Sequence, residues 1–195
     1  MAVRSGPPPR QQVRVIAGEW RGRKIDFPER PDLRPTPDRV RETLFNWLAV
    51  SIPGARCLDL FAGSGALGIE ALSRGASFCD FVDTDSEVVR CLRQSLERFH
   101  AADRAEVHQG LAEDMADCGR SWDIVFVDPP YRAGLAIPML STLHNHRCLT
   151  PHALVYLESA REDDTAIPHQ LFEVHREKTA GDVRFRLLAP IFAGE

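Results

Sequence analysis

Four consecutive residues, Asp128-Pro129-Pro130-Tyr131, carry groups that could do chemistry. The acid can accept hydrogen bonds from an amine, the prolines stiffen the backbone, and the aromatic ring can stack on a base taken out of its helix. They follow Ile124, Val125, Phe126 and Val127, a short apolar run of the kind buried on both faces in parallel sheets. Neither proline can donate to a β-ladder, so the strand ends at Asp128. In open α/β sheets, ligands bind just beyond the carboxyl ends of the strands. A plainer reading makes Asp128 a turn residue and Tyr131 mere packing; the rest of the chain weighs against it.

Further upstream, Gly63, Gly65 and Gly68 fit G-x-G-x-x-G between a strand and a helix. Such a turn lets a ligand approach the backbone closely. A bare strand–helix turn needs one glycine, not three. Two cofactor classes suit this turn. A dinucleotide would set its pyrophosphate on the helix N-terminus. S-adenosylmethionine has no phosphate and needs an acceptor for its charged amino group, which Asp59 can supply by a charge-assisted hydrogen bond. Asp83, about twenty residues on, can take ribose hydroxyls in either class. The glycines therefore leave the choice open, and Asp128-Pro129-Pro130-Tyr131 makes it. A dehydrogenase has no evident use for that corner, whereas a methyltransferase acting on an exocyclic amine does. The amine lone pair is delocalised into the ring, and acceptors at Asp128 and the Pro129 carbonyl can turn it toward an electrophilic methyl.

These residues must be positioned by regular elements. From residue 56 the pattern alternates: strands at 57–61, 78–82, 105–108, 124–127 and 153–157, with helices at 66–74, 86–100, 111–118 and 135–145 between them. Strands at 171–176 and 183–188 close the chain as a hairpin around residues 179–182. Alternation of this kind gives a doubly wound, mostly parallel seven-stranded α/β sheet, Rossmann-like, with an antiparallel hairpin at its C-terminal edge. Before it, residues 13–17 and 24–27 read as two short strands around a glycine-bounded turn, and four prolines make residues 28–37 an extended connector. A helix from Asp38 to about Val50 carries an apolar stripe of Val40, Leu44, Trp47 and Leu48, with Arg39, Arg41 and Glu42 off it. The expected organisation is a loose basic tail at 1–12, a hairpin-and-helix extension at 13–53, and the catalytic domain at 54–195.

Charge is unevenly spread. Residues 1–41 hold ten of the 24 Lys and Arg but five of the 28 Asp and Glu, so a basic segment precedes an acidic body. That asymmetry suits a polyanionic partner touched at one end. Arg14, Arg21, Arg23 and Lys24 cluster around Trp20, a combination that suits phosphate contact and base stacking. No apolar run approaches a membrane span, and the N-terminus lacks the apolar stretch of a signal peptide. The five cysteines are scattered and odd in number, which fits a reducing cytosol better than a disulfide framework. The histidines show no metal-ligand spacing, so no metal is expected.

DLFAGSGALGIEALSRGA followed by VFVDPPY resembles the class I methyltransferases that modify amino groups of bases. RPTPDRVRETLFNWL is more specific. Together with RVIAGEWRGRKI before it and HREKTAGDVRFRL near the end, it resembles the RsmD family of bacterial 16S rRNA guanine-N2 methyltransferases, from about Arg14 to Leu188. The resemblance implies a cytoplasmic S-adenosylmethionine-dependent enzyme, monomeric by default, acting on small-subunit rRNA in a 30S particle or its assembly intermediate. It implies Asp128, Pro129, Pro130 and Tyr131 as the catalytic loop. It implies cofactor contacts from Asp59, Phe61, Ala62, Gly63, Ser64 and Gly65, from Asp83 and Thr84, and from Thr36 and Arg39, which close over the methionine end. Arg34 joins the basic residues facing RNA. Relatives often carry Asp or Asn after the third strand of the alternating region. This sequence has Leu111 there, which leaves the Ala112 backbone N–H and the Asp114 carboxylate as candidates for the adenine. Rival readings are an adenine-N6 methyltransferase, an NAD-dependent oxidoreductase using the glycine turn, and a non-catalytic RNA-binding module.

Overall fold

A computed structural model describes residues 10–30, 33, 35–130, 134–163 and 166–192. A two-stranded antiparallel hairpin, β1 (Arg10–Arg14) and β2 (Lys24–Pro28), precedes helix α1 (Asp38–Trp47). The alternating region follows: β3 (Arg56–Asp59), α2 (Ala66–Ser73), β4 (Phe78–Asp83), α3 (Ser86–Arg98), β5 (Ala105–Gln109), a 3-10 segment (Ala112–Asp117), β6 (Trp122–Val127), α4 (Ala136–Asn145) and β7 (Leu149–Ala160). Strands β8 (Phe172–Ala180) and β9 (Val183–Pro190) complete a seven-stranded sheet in the order β5-β4-β3-β6-β7-β9-β8. Pairings from β5 across to β7 are parallel, and β9 runs antiparallel to both β7 and β8. The expected fold class is the observed one.

The order reverses between β3 and β6, so the ends of these central strands flank the crevice where α/β sheets bind ligands. Both sheet faces are covered. On one, α1, α2, α3 and the hairpin bury Val40, Leu44, Phe45 and Leu92 with Phe81, Phe126 and Tyr156 of the sheet. On the other, α4 and the 3-10 segment bury Met139, Leu140, Leu143 and Met115 with Leu58, Val125 and Val155. Helix α3 starts cleanly because Asp85 caps it, accepting from the Glu87 N–H at 2.7 Å. No helix among the described residues is long and apolar enough to cross a membrane.

The N-terminal segment departs from the expected pattern. The first strand begins at Arg10, so residues 10–12 belong to the hairpin and not to a loose tail. Val15 still pairs with the backbone of Gly22 and Arg23 across the hairpin, and cross-strand pairing stops where the Ile16 and Ala17 N–H groups turn to the Glu70 carboxylate at 2.7 and 3.0 Å. Arg41, expected off the apolar stripe of α1, is fully buried. Its guanidinium reaches Asp38 at 2.7 Å, the Arg14 carbonyl at 2.9 Å and, more loosely, Glu70 at 3.7 Å. The hairpin is thus locked onto α2 through buried polar groups, and its apolar residues Val13, Val15, Ile25 and Phe27 join the core of the main sheet.

Candidate active site

Strands β3, β4 and β6 place Asp59, Asp83 and Asp128 along one edge of the sheet, since their registers run in step: Asp59 lies opposite both Phe81 and Phe126. The glycine turn folds between these acids. Gly65, with φ +74, is the residue before α2, and a Cβ there would come within 2.3 Å of Leu92. Gly68 sits inside α2, where a Cβ would meet the Phe81 ring at 2.3 Å, so the helix can lie against β4 only without a side chain. Tight backbone geometry at Gly65 and close helix–strand packing at Gly68, two of the roles glycines play in such turns, are both present.

The acids do more than line the edge. Asp59, 2% exposed, accepts the Gly68 N–H at 3.0 Å. Burial, with a smaller push from Asp83, raises its carboxyl to about 7. Asp83 accepts the Gly63 N–H at 2.9 Å and the Asp85 N–H at 2.9 Å, so one carboxylate fixes both the glycine turn and the approach to α3. Burial raises its carboxyl too. Each carboxylate oxygen has a second lone pair, which leaves acceptor capacity for a ligand amine or hydroxyl.

Asp128 stands just past β6, with Pro129 buried and Pro130 exposed. Its carboxyl is held well above the usual range by burial first, then by the charges of Glu158 and Asp59. Thr36, 6% exposed, donates its hydroxyl to Asp128 Oδ2 at 3.3 Å. The connector that carries Thr36 runs along the same edge. Arg30 clamps Asp85 at 3.1 Å and Glu87 at 2.6 Å, and the Leu33 side chain lies 3.2 Å from where a Gly63 Cβ would stand. Described connector residues therefore touch the start of α3, the glycine turn and the acidic corner in succession.

The structure thus brings together Asp59, Phe61, Ala62, Gly63, Ser64, Gly65, Asp83, Thr84, Thr36 and the Asp128-Pro129-Pro130 corner. Thr84 is exposed at the rim, and Ser64 accepts the Ala66 N–H at 3.3 Å. Arg39 is on the exposed side of α1. Beyond β5, Ala112 is buried, Leu111 is 58% exposed, and Asp114 Oδ2 accepts the Leu111 N–H at 3.0 Å. Tyr131 and Arg34 lie outside the described residues.

The basic hairpin residues do not join this edge. Helix α3 starts beside Asp83 and spans about 20 Å at 1.5 Å per residue. Lys24 meets its far end, its carbonyl accepting from Arg98 at 3.0 Å. Arg21, Arg23 and Lys24 are exposed there, with the Arg23 guanidinium 4.2 Å from the Phe99 ring centroid and bonded to the Arg98 carbonyl. Arg14 is exposed along the hairpin. Trp20 corrects the sequence-based expectation. It is 2% exposed and stacked on Phe99 at 5.2 Å, so its ring is core and unavailable to a base.

Sequence reasoning missed Arg30, Leu33 and Glu158 at the site. The first two sit in a proline-rich stretch without periodicity. The signal for Glu158 is the alternation of Tyr156 and Glu158, because β7 continues past Leu157 to Ala160. It also passed over Asp80, a fully buried acid of β4 that gathers Trp122 Nε1 at 2.8 Å, Arg120 at 2.7 Å and His108 at 3.0 Å. Glu106 lies close enough to Asp80 and His108 for a shared cation, but Arg120, 2.8 Å from Glu106, already supplies the positive charge.

Comparison with known proteins decides the family. Residues 13–189 match the family described as Conserved hypothetical protein 95. The chain is 45% identical over 184 residues to ribosomal RNA small subunit methyltransferase D of Escherichia coli K12, covering 94% of this chain and 93% of that protein. The protein belongs to the ribosomal RNA small subunit methyltransferase D family. The Haemophilus influenzae member is 40% identical over 185 residues, covering 93% and 95% of the two chains. Among solved structures, a putative methyltransferase from Escherichia coli superposes with a TM-score of 0.82 at 45% identity, covering 92% of this chain and 98% of that one. An RNA methyltransferase from Salinibacter ruber, solved with S-adenosylhomocysteine, shares the fold at 17% identity and a TM-score of 0.61, covering 83% and 97%.

Proposed function

We propose that this member of the family transfers a methyl group from S-adenosylmethionine to the exocyclic N2 amine of a guanine in small-subunit rRNA. The observation that carries the reading is the juncture of Asp128-Pro129 with Asp59 and the glycine turn on one edge, closed by Thr36. The cofactor supplies an electrophilic methyl on sulfur. Asp59 would hold its amino group and Asp83 its ribose hydroxyls, with Phe61, Ala62, Gly63, Ser64, Gly65, Thr84 and Ala112 around it, and Thr36 and Arg39 toward its methionine end. The donor set fits a cofactor with a cationic amine and no phosphate, because the described groups bonded to the turn are the carboxylates of Asp59 and Asp83, while Arg30 on this edge is already engaged by Asp85 and Glu87.

Asp128 and the Pro129 carbonyl accept from the two N–H bonds of the amine, which fixes the plane of the base and frees the nitrogen lone pair toward the methyl. Pro130 keeps the corner stiff, and Tyr131 would stack on the base. The names of the relatives support an rRNA substrate. The block from Arg34 to Leu48 supports guanine over adenine. The hairpin-and-helix segment at 13–53 would grip RNA with Arg14, Arg21, Arg23, Lys24 and Arg34 while capping the cofactor, on a monomeric enzyme meeting the 30S subunit or its precursor in the cytoplasm.

The test is Asp128→Ala, assayed on 30S particles and by cofactor titration. Methyl transfer should fall by a factor of about 100 or more while S-adenosylmethionine still binds; unchanged turnover would remove Asp128 from the reaction. Mass analysis of the product nucleoside reads the base, and N6-methyladenosine would replace guanine as the target.

A further inference from the structure

Asp128 has a buried companion. The parallel register of β6 and β7 ends with Val127 opposite Leu157; Asp128 and Glu158 are the next residues of their segments, and the charge of Glu158 acts on the Asp128 carboxyl. Adjacent strands are about 4.8 Å apart, and side chains alternate between faces. Both acids therefore share the face of Phe126 and Tyr156, beneath α1. Glu158 is 4% exposed, and the Tyr156 hydroxyl donates to its Oε2 at 2.6 Å. A hydrogen bond donated to a carboxylate favours its charged form. The groups facing Asp128 among the described residues are Glu158 from β7, Asp59 from β3 and the Thr36 hydroxyl from the connector. Asp128 itself is half-buried at the corner, and neighbouring carboxylates shielded from water resist ionising together.

We propose that Glu158 is a positioning residue for the proton of Asp128: it carries the negative charge of the pair, keeps Asp128 protonated in the cofactor-free enzyme, and yields an ionised Asp128 only when a sulfonium lies against the corner. This rests on the methyltransferase reading above. A protonated Asp128 presents an O–H where an amine needs an acceptor. A cation within a few ångströms favours the ionised form, so the acceptor arises only while an unreacted methyl donor is bound. As the nitrogen–carbon bond forms and the methyl–sulfur bond breaks, the electron pair stays on sulfur. The surplus proton of the amine passes to Asp128, which restores the protonated pair beside a neutral thioether. The same chemistry loosens the grip on the methylated base once transfer is done.

Calorimetry of the whole protein with S-adenosylmethionine or S-adenosylhomocysteine at about pH 7, in buffers of different ionisation enthalpy, counts the protons released on binding. Both ligands carry the amino-acid end that Asp59 would hold, so the difference between them isolates the sulfonium. The wild-type protein should release more protons with S-adenosylmethionine. Glu158→Gln, which keeps the shape and can still accept from Tyr156, should cut that difference by about half or more. It should also move the acid limb of the single-turnover rate on 30S particles about one pH unit lower. Tyr156→Phe, which removes the hydroxyl favouring charge on Glu158, should act in the same direction and serves if the Gln variant fails to fold. Equal proton release for the two ligands in the wild type, or an undiminished difference in the variants, overturns the proposal. Failure of either ligand to bind sinks instead the methyltransferase reading on which it rests.

Discussion

Replacing Glu70 by Ala should remove the lock between the N-terminal hairpin and the sheet. Glu70 is fully buried in α2. Its carboxylate accepts from the backbone N–H groups of Ile16 and Ala17 and from Arg74 Nε at 2.7 Å, and it faces the buried Arg41 at 3.7 Å. Alanine leaves two backbone donors without their acceptor, at about 1–3 kcal/mol each. It also strips a charge partner from a buried guanidinium, which by itself costs about 3–5 kcal/mol. These losses overlap, because Arg41 keeps Asp38 and the Arg14 carbonyl, and water can enter the space. A net loss of about 4–6 kcal/mol is expected, a large part of the about 5–15 kcal/mol a domain has. At about 2–4 °C per kcal/mol for a chain of this size, the melting temperature should fall by about 10–20 °C. Glu70→Gln retains one good acceptor and should lose about half as much. Urea unfolding followed by circular dichroism measures both, and hydrogen exchange should show the Ile16 and Ala17 amides losing protection. A drop below about 1 kcal/mol for the Ala variant, or a Gln variant as unstable as Ala, would refute the reasoning.

Asp59 gives a pH dependence. Its carboxyl is raised from 3.8 to about 7, so its contribution to the cofactor-free fold is complete below the unfolded value and is lost as pH rises through about 7. A ligand amine needs the ionised form, so S-adenosylhomocysteine affinity should rise roughly tenfold from about pH 6 to about pH 8, and Asp59→Asn should flatten the curve in calorimetric titration. Trp20→Ala should destabilise the fold by about 3–5 kcal/mol in urea, because its ring packs on Phe99; wild-type stability with impaired RNA binding would return the ring to a base-stacking role. Reversing charge at Arg21 and Arg23 should weaken binding to rRNA and shallow its salt dependence by about 0.7–0.9 for each phosphate no longer neutralised, with methyl transfer to a saturating substrate nearly unchanged. A salt titration that superposes on the wild type would remove both residues from the interface.

Much of the candidate site's edge was legible in the sequence because its signals are local. An apolar run ending in Asp128-Pro129-Pro130, and glycines spaced between a strand and a helix, state where strands stop, and the α/β alternation states that those ends lie together. The seven-stranded sheet and its terminal hairpin follow from the same periodicities. What lay beyond reach were interactions between segments without a pattern. Trp20 looked like a stacking ring because nothing nearby says that Phe99 will cover it, and Arg41 looked solvated because Glu70 and the hairpin backbone come from other parts of the chain.

The sequence by itself determined which strands the sheet contains and where β3, β4 and β6 stop, and hence which acids and glycines share an edge, since these depend on side-chain period and backbone chemistry over a few residues. Only the tertiary structure decided which charges are buried and what they face. Thr36 over Asp128, Arg30 across Asp85 and Glu87, and Glu158 beside Asp128 each join residues at least thirty positions apart. Burial removes the water that would otherwise screen such groups, so the state of the acidic corner is set by its neighbours in space.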